Sequence, residues 1–210
     1  VVVLTGIHNS LRSQTQSRID EEVLGYETSL ENLADMIREP NVIGVGIGAH
    51  NRVKTIVQSI TTRDEKGDVN KTTEGVSMVP PFIIVTKKNA TVLRRILRFF
   101  WKNQCAEVID GKKIITAKYP ALIIDDEADQ ASINTNDSYD EKGNLLDDYN
   151  PTTINGLIRE ILKTFECRSY VGYTATPFAN IFIPPHINSE RYGTDLFPRD
   201  FVFRTPRADQ

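Results

Sequence analysis

The chain has 210 residues and a mass of 23.7 kDa, enough for one medium domain with its own core and small for two. Apolar residues make up 40% and charged residues 25%, the proportions of a globular chain rather than a disordered or fibrous one. A formal net charge of −3 with a pI near 5.7 excludes a protein that wraps nucleic acid by global charge, so any such contact must be a local patch.

No run approaches the roughly 18 consecutive apolar residues of a membrane helix. The two cysteines, Cys105 and Cys167, form no CxxC pair, which fits a reducing cytoplasm.

In chain order, residues 1–5 predict a buried strand already under way at Val1; the methionines stand only at Met36 and Met78, so a fragment or processed product is expected. Residues 11–22 predict a helix capped by Asn9 or Ser10. Residues 24–38 predict a second, with Leu30, Leu33, Ala34 and Ile37 at helical spacing and Pro40 as its stop. Residues 41–49 alternate Gly with Val and Ile, as a strand or a close-approach segment would; no helix start follows, so a dinucleotide loop is disfavoured. Residues 56–61 suggest a weaker strand, and 63–76 an exposed loop. Residues 82–86 predict a buried strand and 89–103 the helix behind it, with Leu93, Ile96, Leu97 and Phe100 inward. On another face of that helix Arg94, Arg98 and Lys102 form a basic ridge near Trp101, either a solvated face or a track for phosphates.

Residues 114–117 suggest an edge strand, and 121–125 a central parallel strand, apolar on both faces until it ends in carboxylates. Residues 134–150 form an acidic insertion. Behind Pro151 the stripe Ile154, Leu157, Ile158, Ile161, Leu162 and Phe165 predicts a helix. Residues 169–173 predict the last strand, and the Pro-rich tail from Pro184 an exit segment. Alternation of strands and helices predicts an α/β fold with a mainly parallel sheet.

Three constellations carry chemistry. Asp125-Asp126-Glu127-Ala128-Asp129 puts an acidic cluster at the end of an apolar strand, where an α/β fold has its ligand crevice. The alternative is a solvated strand end with a capping Asp. Tyr173-Thr174-Ala175-Thr176-Pro177 places two hydroxyls at another strand end, where they either relay hydrogen bonds or serve as ordinary turn chemistry. Thr5-Gly6, followed by a helix start with Arg12, offers amides and a cation to a phosphate, or is a plain polar helix face.

In this order the three motifs resemble motif Ia (Val3 to Gly6 and Leu11 to Gln16), the second motif (Asp126 to Asp129) and the third motif (Thr174 to Pro177) of superfamily-two helicases and translocases. DDEADQASIN and GYTATPFANIF resemble most closely the Z-one domain family, helicase-like ATPases of bacterial restriction and phage-defence systems that are often labelled endonucleases. The segment from Phe82 to Asn89 is similar to a further strand-to-helix segment of that family.

The resemblance spans about residues 1–183 and implies the first RecA-like, three-layer motor domain of a P-loop ATPase, with residues 184–210 leading towards a second domain. It further implies Asp126 as magnesium ligand and Glu127 as the residue that polarises the attacking water. Asp129, Thr174 and Thr176 would couple hydrolysis to DNA, and Thr5, Gly6, Arg12, Thr86 and Lys87 would touch the DNA backbone. The implied cofactors are ATP and magnesium, and the implied site of action is the cytoplasm.

No GxxxxGK[ST] or GK[ST] occurs; the one Gly-Lys, Gly111-Lys112, precedes Lys113. The phosphate loop is therefore expected upstream of residue 1, its strand beside residues 1–5, and a second RecA-like domain with its arginine finger beyond residue 210. Competing classes are a nucleic-acid or protein-binding module with a degenerate ATPase surface, and a metal-dependent nuclease. For the latter, Asp64-Glu65-Lys66, Asp110-Gly111-Lys112 and Asp140-Glu141-Lys142 all sit in turn-like contexts rather than on an apolar strand. His8, His50 and His186 are too dispersed to suggest a metal cluster.

Overall fold

The computed structural model describes residues 1–28, 40–50, 57–76, 81–102, 106–109, 111–134, 152–184, 187–189, 192–200 and 202–203. Its elements are β1 (Val2–Thr5), α1 (Asn9–Arg18), β2 (Gln58–Ser59), β3 (Phe82–Lys87), α2 (Ala90–Lys102), β4 (Ala106–Ile109) and β5 (Lys112–Ile115), then β6 (Ala121–Asp126), α3 (Thr153–Lys163), β7 (Arg168–Tyr173), α4 (Phe178–Ile181), β8 (Asn188–Ser189) and β9 (Gly193–Thr194).

Five strands form a parallel sheet in the order β2-β3-β1-β6-β7. All four residues of β1 are buried, as a central strand covered on both faces requires. Val2, Leu4, Ile84 and Ile123 face the apolar stripes of α2 and α3, where Leu93, Ile96, Phe100, Ile158 and Ile161 complete the larger core. Val3, Ile83 and Val85 face the other way, onto Leu24 and Tyr26. Three layers result, and the α/β expectation holds.

The structure departs from the sequence expectations in five places. α1 continues through a wider turn, Ile19–Leu24, and stops at Gly25, so no helix begins at residue 24; the rest of the second predicted helix, residues 29–39, lies outside the described residues. Of the two readings of residues 41–49, the structure takes the close approach: Val45 and Gly46 donate to Glu21 O at 2.8 and 2.9 Å. The stretch 63–76 is tied into the fold, with Asp68, Val69 and Thr73 buried. The expected edge strand is one arm of an antiparallel hairpin, β4–β5. The tail beyond Pro184 is no loose exit, because Ile187, Tyr192 and Leu196 are buried and Asp195 lies 3.0 Å from Asn155 Nδ2 and 3.6 Å from Arg159, both on α3. Finally, β3 and β6 occupy both sides of β1, so no further strand can join the sheet beside residues 1–5.

The acidic insertion (135–150), Asp110, Asp140-Glu141-Lys142, Pro151, Cys105 and His186 lie outside the described residues. Among the described residues no helix is long and apolar enough to cross a membrane.

The close approach at Gly46 gives a direct test. A Cβ there would lie 2.2 Å from Gly25 N and 2.7 Å from the backbone carbons of Leu24 and Val23, none of which can swing aside. Gly46→Ala is expected to cost about 3 kcal/mol in urea denaturation, whereas Gly75→Ala stays within about 0.5 kcal/mol because nothing lies within 4 Å of its added methyl.

Candidate functional site

The site lies at the carboxyl ends of β1, β3, β6 and β7. Alternation along β6 sends Asp125 and Asp126 to opposite sides: Asp125 is buried, Asp126 exposed. Asp126 Oδ1 accepts the Glu127 N–H at 3.1 Å. Glu127 has a left-handed backbone, φ 56, which a non-glycine residue adopts only when its surroundings impose it. Its carboxylate lies over Gly6, where a Cβ would come within 2.5 Å of Glu127 Oε2. Gly6 thus leaves room for Glu127.

Ala128 is buried, and its N–H donates to Tyr173 O at 2.9 Å, which folds the turn over the end of β7. Asp129 then bridges to the next loop. Its Oδ1 accepts the Thr174 hydroxyl at 2.7 Å and its Oδ2 the Thr176 hydroxyl at 2.5 Å, while Thr176 N donates to Thr174 Oγ1 at 2.9 Å. These donors, Thr176 first and Thr174 second, hold the Asp129 carboxyl below the usual carboxylate range.

Beneath the turn lies a pair that sequence reasoning missed. Lys88 Nζ donates to Asp125 Oδ1 at 3.0 Å, both side chains being 0% exposed. It also donates to the carbonyls of Asp126 at 2.8 Å and Glu127 at 2.5 Å. Asp125 Oδ2 accepts the Tyr170 hydroxyl at 2.7 Å. Burial, and then the facing Asp125 carboxylate, push the Tyr170 phenol well up.

Of the five residues expected to touch DNA, three are consumed inside the fold. Arg12 is 0% exposed and donates to the carbonyls of Thr62, at 2.9 Å, and Asp64. Thr86 donates to Asp68 Oδ1 at 2.8 Å, and Thr5 spends its hydroxyl on the Gly6 and Thr86 carbonyls. Burial lowers the Arg12 guanidinium and raises the Asp68 carboxyl; each opposes the other's shift. Gly6 is buried under Glu127. Lys87 remains at the surface, its Nζ donating to Asn9 Oδ1 at 2.6 Å.

Among the described residues no group of three or more His, Cys, Asp and Glu is arranged to hold a metal. A single exposed carboxylate such as Asp126 suits magnesium, which keeps most of its waters and takes its other ligands from phosphates. Asp125, buried and ion-paired, cannot serve.

Away from this site, Arg94, Arg98 and Trp101 of α2 and Thr153 and Glu160 of α3 line a groove of about 440 Å³. Arg98 pairs with Glu74 at 3.5 Å. Around α4, Tyr173, Phe178, Ile181 and Phe182 are all exposed, Phe182 to 79%. Comparisons of the chain with family models, curated proteins and solved structures give no match.

The Asp129 bridge makes a pH prediction. Its native pKa lies below the unfolded one, so its contribution is fully present above the unfolded pKa and is lost as pH falls through the native value. In a carboxyl ¹³C NMR titration, Asp129 is expected to titrate below the ordinary Asp range in the wild type. Thr174→Val with Thr176→Val should move it up; no movement would show that the hydroxyls do not hold it.

Proposed function

We propose that the chain is the first RecA-like motor domain of a DNA-dependent, helicase-like ATPase. One observation carries the reading: the Asp126–Glu127 turn at the end of β6 is joined through Asp129 to Thr174 and Thr176 at the end of the adjacent β7. A hydrolytic pair tied to a second loop is what coupling of nucleotide chemistry to movement requires. A setting in bacterial restriction or phage defence, in the cytoplasm, rests on the resemblance to the Z-one domain family alone.

In this reading Asp126 holds magnesium and Glu127 orients and polarises the attacking water. Magnesium bound with ATP supplies neutralisation of the charge that develops on the phosphate oxygens. The chain's own residues do the rest. The left-handed backbone of Glu127 sends its carboxylate across Gly6, and Ala128, pinned to Tyr173 O, keeps the turn seated. Asp129 passes any displacement of the turn to Thr174 and Thr176. The phosphate loop and the second RecA-like domain come from other segments of the same protein, so the 210 residues alone neither bind ATP tightly nor hydrolyse it.

A second reading, a binding module with a degenerate ATPase surface, draws on the burial of Thr5, Arg12 and Thr86 and on the exposed apolar side chains around α4. The two separate cleanly. The isolated chain is expected to show no magnesium-dependent ATP turnover. A longer chain carrying a strand followed by GK[ST] is expected to show DNA-stimulated turnover that falls by about 10² or more in Glu127→Gln. Binding of DNA with no turnover supports the module instead, and cleavage of DNA without ATP a nuclease.

With three of the expected DNA-touching residues buried, the α2 ridge becomes the basic surface to test. Replacing Arg94, Arg98 and Lys102 together by Ala is expected to weaken DNA binding and flatten its salt dependence by about one unit of slope for each phosphate no longer neutralised. An unchanged slope would retire the ridge as a DNA track.

A further inference from the structure

Lys88 is the one fully buried lysine among the described residues, and its ammonium has three donors. Three acceptors meet it: Asp125 Oδ1, Asp126 O and Glu127 O. A counter-ion for Asp125 needs only the first. The other two are the main-chain carbonyls of the two residues whose carboxylates define the candidate site. Drawing both carbonyls onto one ammonium sets the peptide planes on either side of Glu127, the residue held at φ 56. The anchor cannot drift, because Lys88 N is itself bound to Thr5 O at 3.3 Å and Asp125 is held from its other side by Tyr170.

We propose that Lys88 is a positioning residue for the acidic turn. By donating to the Asp126 and Glu127 carbonyls it keeps the Asp126 carboxylate at the surface and the Glu127 carboxylate over Gly6. It reaches no substrate and acts only through these two residues. The inference rests on the reading of Asp126 and Glu127 as the hydrolytic pair.

Lys88→Met alone strands a buried Asp125 charge and destabilises the fold whatever the role of the ammonium. The informative variant is Lys88→Met with Asp125→Asn, which removes both charges together. In the 210-residue chain this variant is expected to keep a cooperative thermal transition close to that of the wild type. The amide signals of Glu127 and Ala128 should nevertheless shift, and exchange of the Ala128 N–H, now bonded to Tyr173 O, should speed up about ten-fold or more. In a longer chain that carries a phosphate loop, kcat should fall by about ten- to a hundred-fold, with KM for ATP within about three-fold of the wild type.

Unchanged signals from Asp126 to Ala128 in the double variant would overturn the proposal and leave Lys88 a counter-ion only; so would full recovery of kcat. If the longer wild-type chain does not hydrolyse ATP, the proposed function falls, and the amide measurement still decides what Lys88 does.

Discussion

The buried Lys88–Asp125 pair is the constraint to which the carboxyl end of the sheet conforms. Taking two ions out of water costs several kcal/mol each, and their attraction repays this only if their remaining donors and acceptors are also satisfied. Here they are. Asp125 takes the Tyr170 hydroxyl, and the ammonium takes two carbonyls. Because β1 lies between β3 and β6, Lys88 must reach across the end of β1 to find Asp125, and its own N–H closes onto Thr5 O on the way. The ends of three strands are thereby locked together, and the turn that follows β6 has little choice of path. Its left-handed Glu127 is the consequence: neutralising a buried charge below the site shapes the site above it.

A second set of buried polar contacts secures the other side of the same rim. Arg12, Gln16 and Asp20 recur every four residues, so they share one face, and all three are buried. Gln16 donates to Asp20 at 2.9 Å and to Thr28 at 3.0 Å and accepts from Thr61 at 2.8 Å, while Arg12 holds the carbonyls of Thr62 and Asp64. Burial raises the Asp20 carboxyl above its ordinary range. α1 therefore docks by hydrogen bonds rather than by an apolar stripe, and networks of this kind specify a single arrangement only when nearly every member is satisfied. Two of the polar residues that a motif resemblance assigns to DNA, Arg12 and Thr86, are ones the fold uses to pin residues 62–68 across the sheet.

This explains what was legible in the sequence. Strands β1, β3 and β6 and helices α2 and α3 bury aliphatic and aromatic side chains, so period and composition find them. The acidic turn is legible because a run of aliphatics ending in carboxylates has few meanings. Residues 63–76 are not, since their polar composition matches an exposed loop, and contacts that only the fold makes, Arg12 to Asp64, Thr86 to Asp68 and Arg95 to Val69 among them, draw them in. The hairpin β8–β9 is hidden for a similar reason: its anchor is the set Asn155, Arg159 and Asp195, polar residues that sequence reading places in solvent. Lys87 and Lys88 look interchangeable. β3 is buried on both faces, so no alternation in its sequence tells which of the two turns inward; the fold buries Lys88 and leaves Lys87 at the surface.

The same geometry bears on where a phosphate loop can be delivered. β1 is closed on both sides, which leaves two edges among the described residues, β2 and β7. β2 is two residues long, whereas β7 offers six, largely exposed and paired on one side only. Strands in a sheet lie about 4.8 Å apart. A strand added beyond β7 would stand two spacings from β6, roughly 10 Å, and one added beyond β2 would stand four, roughly 19 Å. Magnesium joins a carboxylate to a phosphate through direct bonds of about 2.1 Å and a shell of water, so the cradle must lie close to Asp126. On the reading proposed above, a phosphate-loop strand would fit the β7 edge, next to the loop of Thr174 and Thr176 that Asp129 holds.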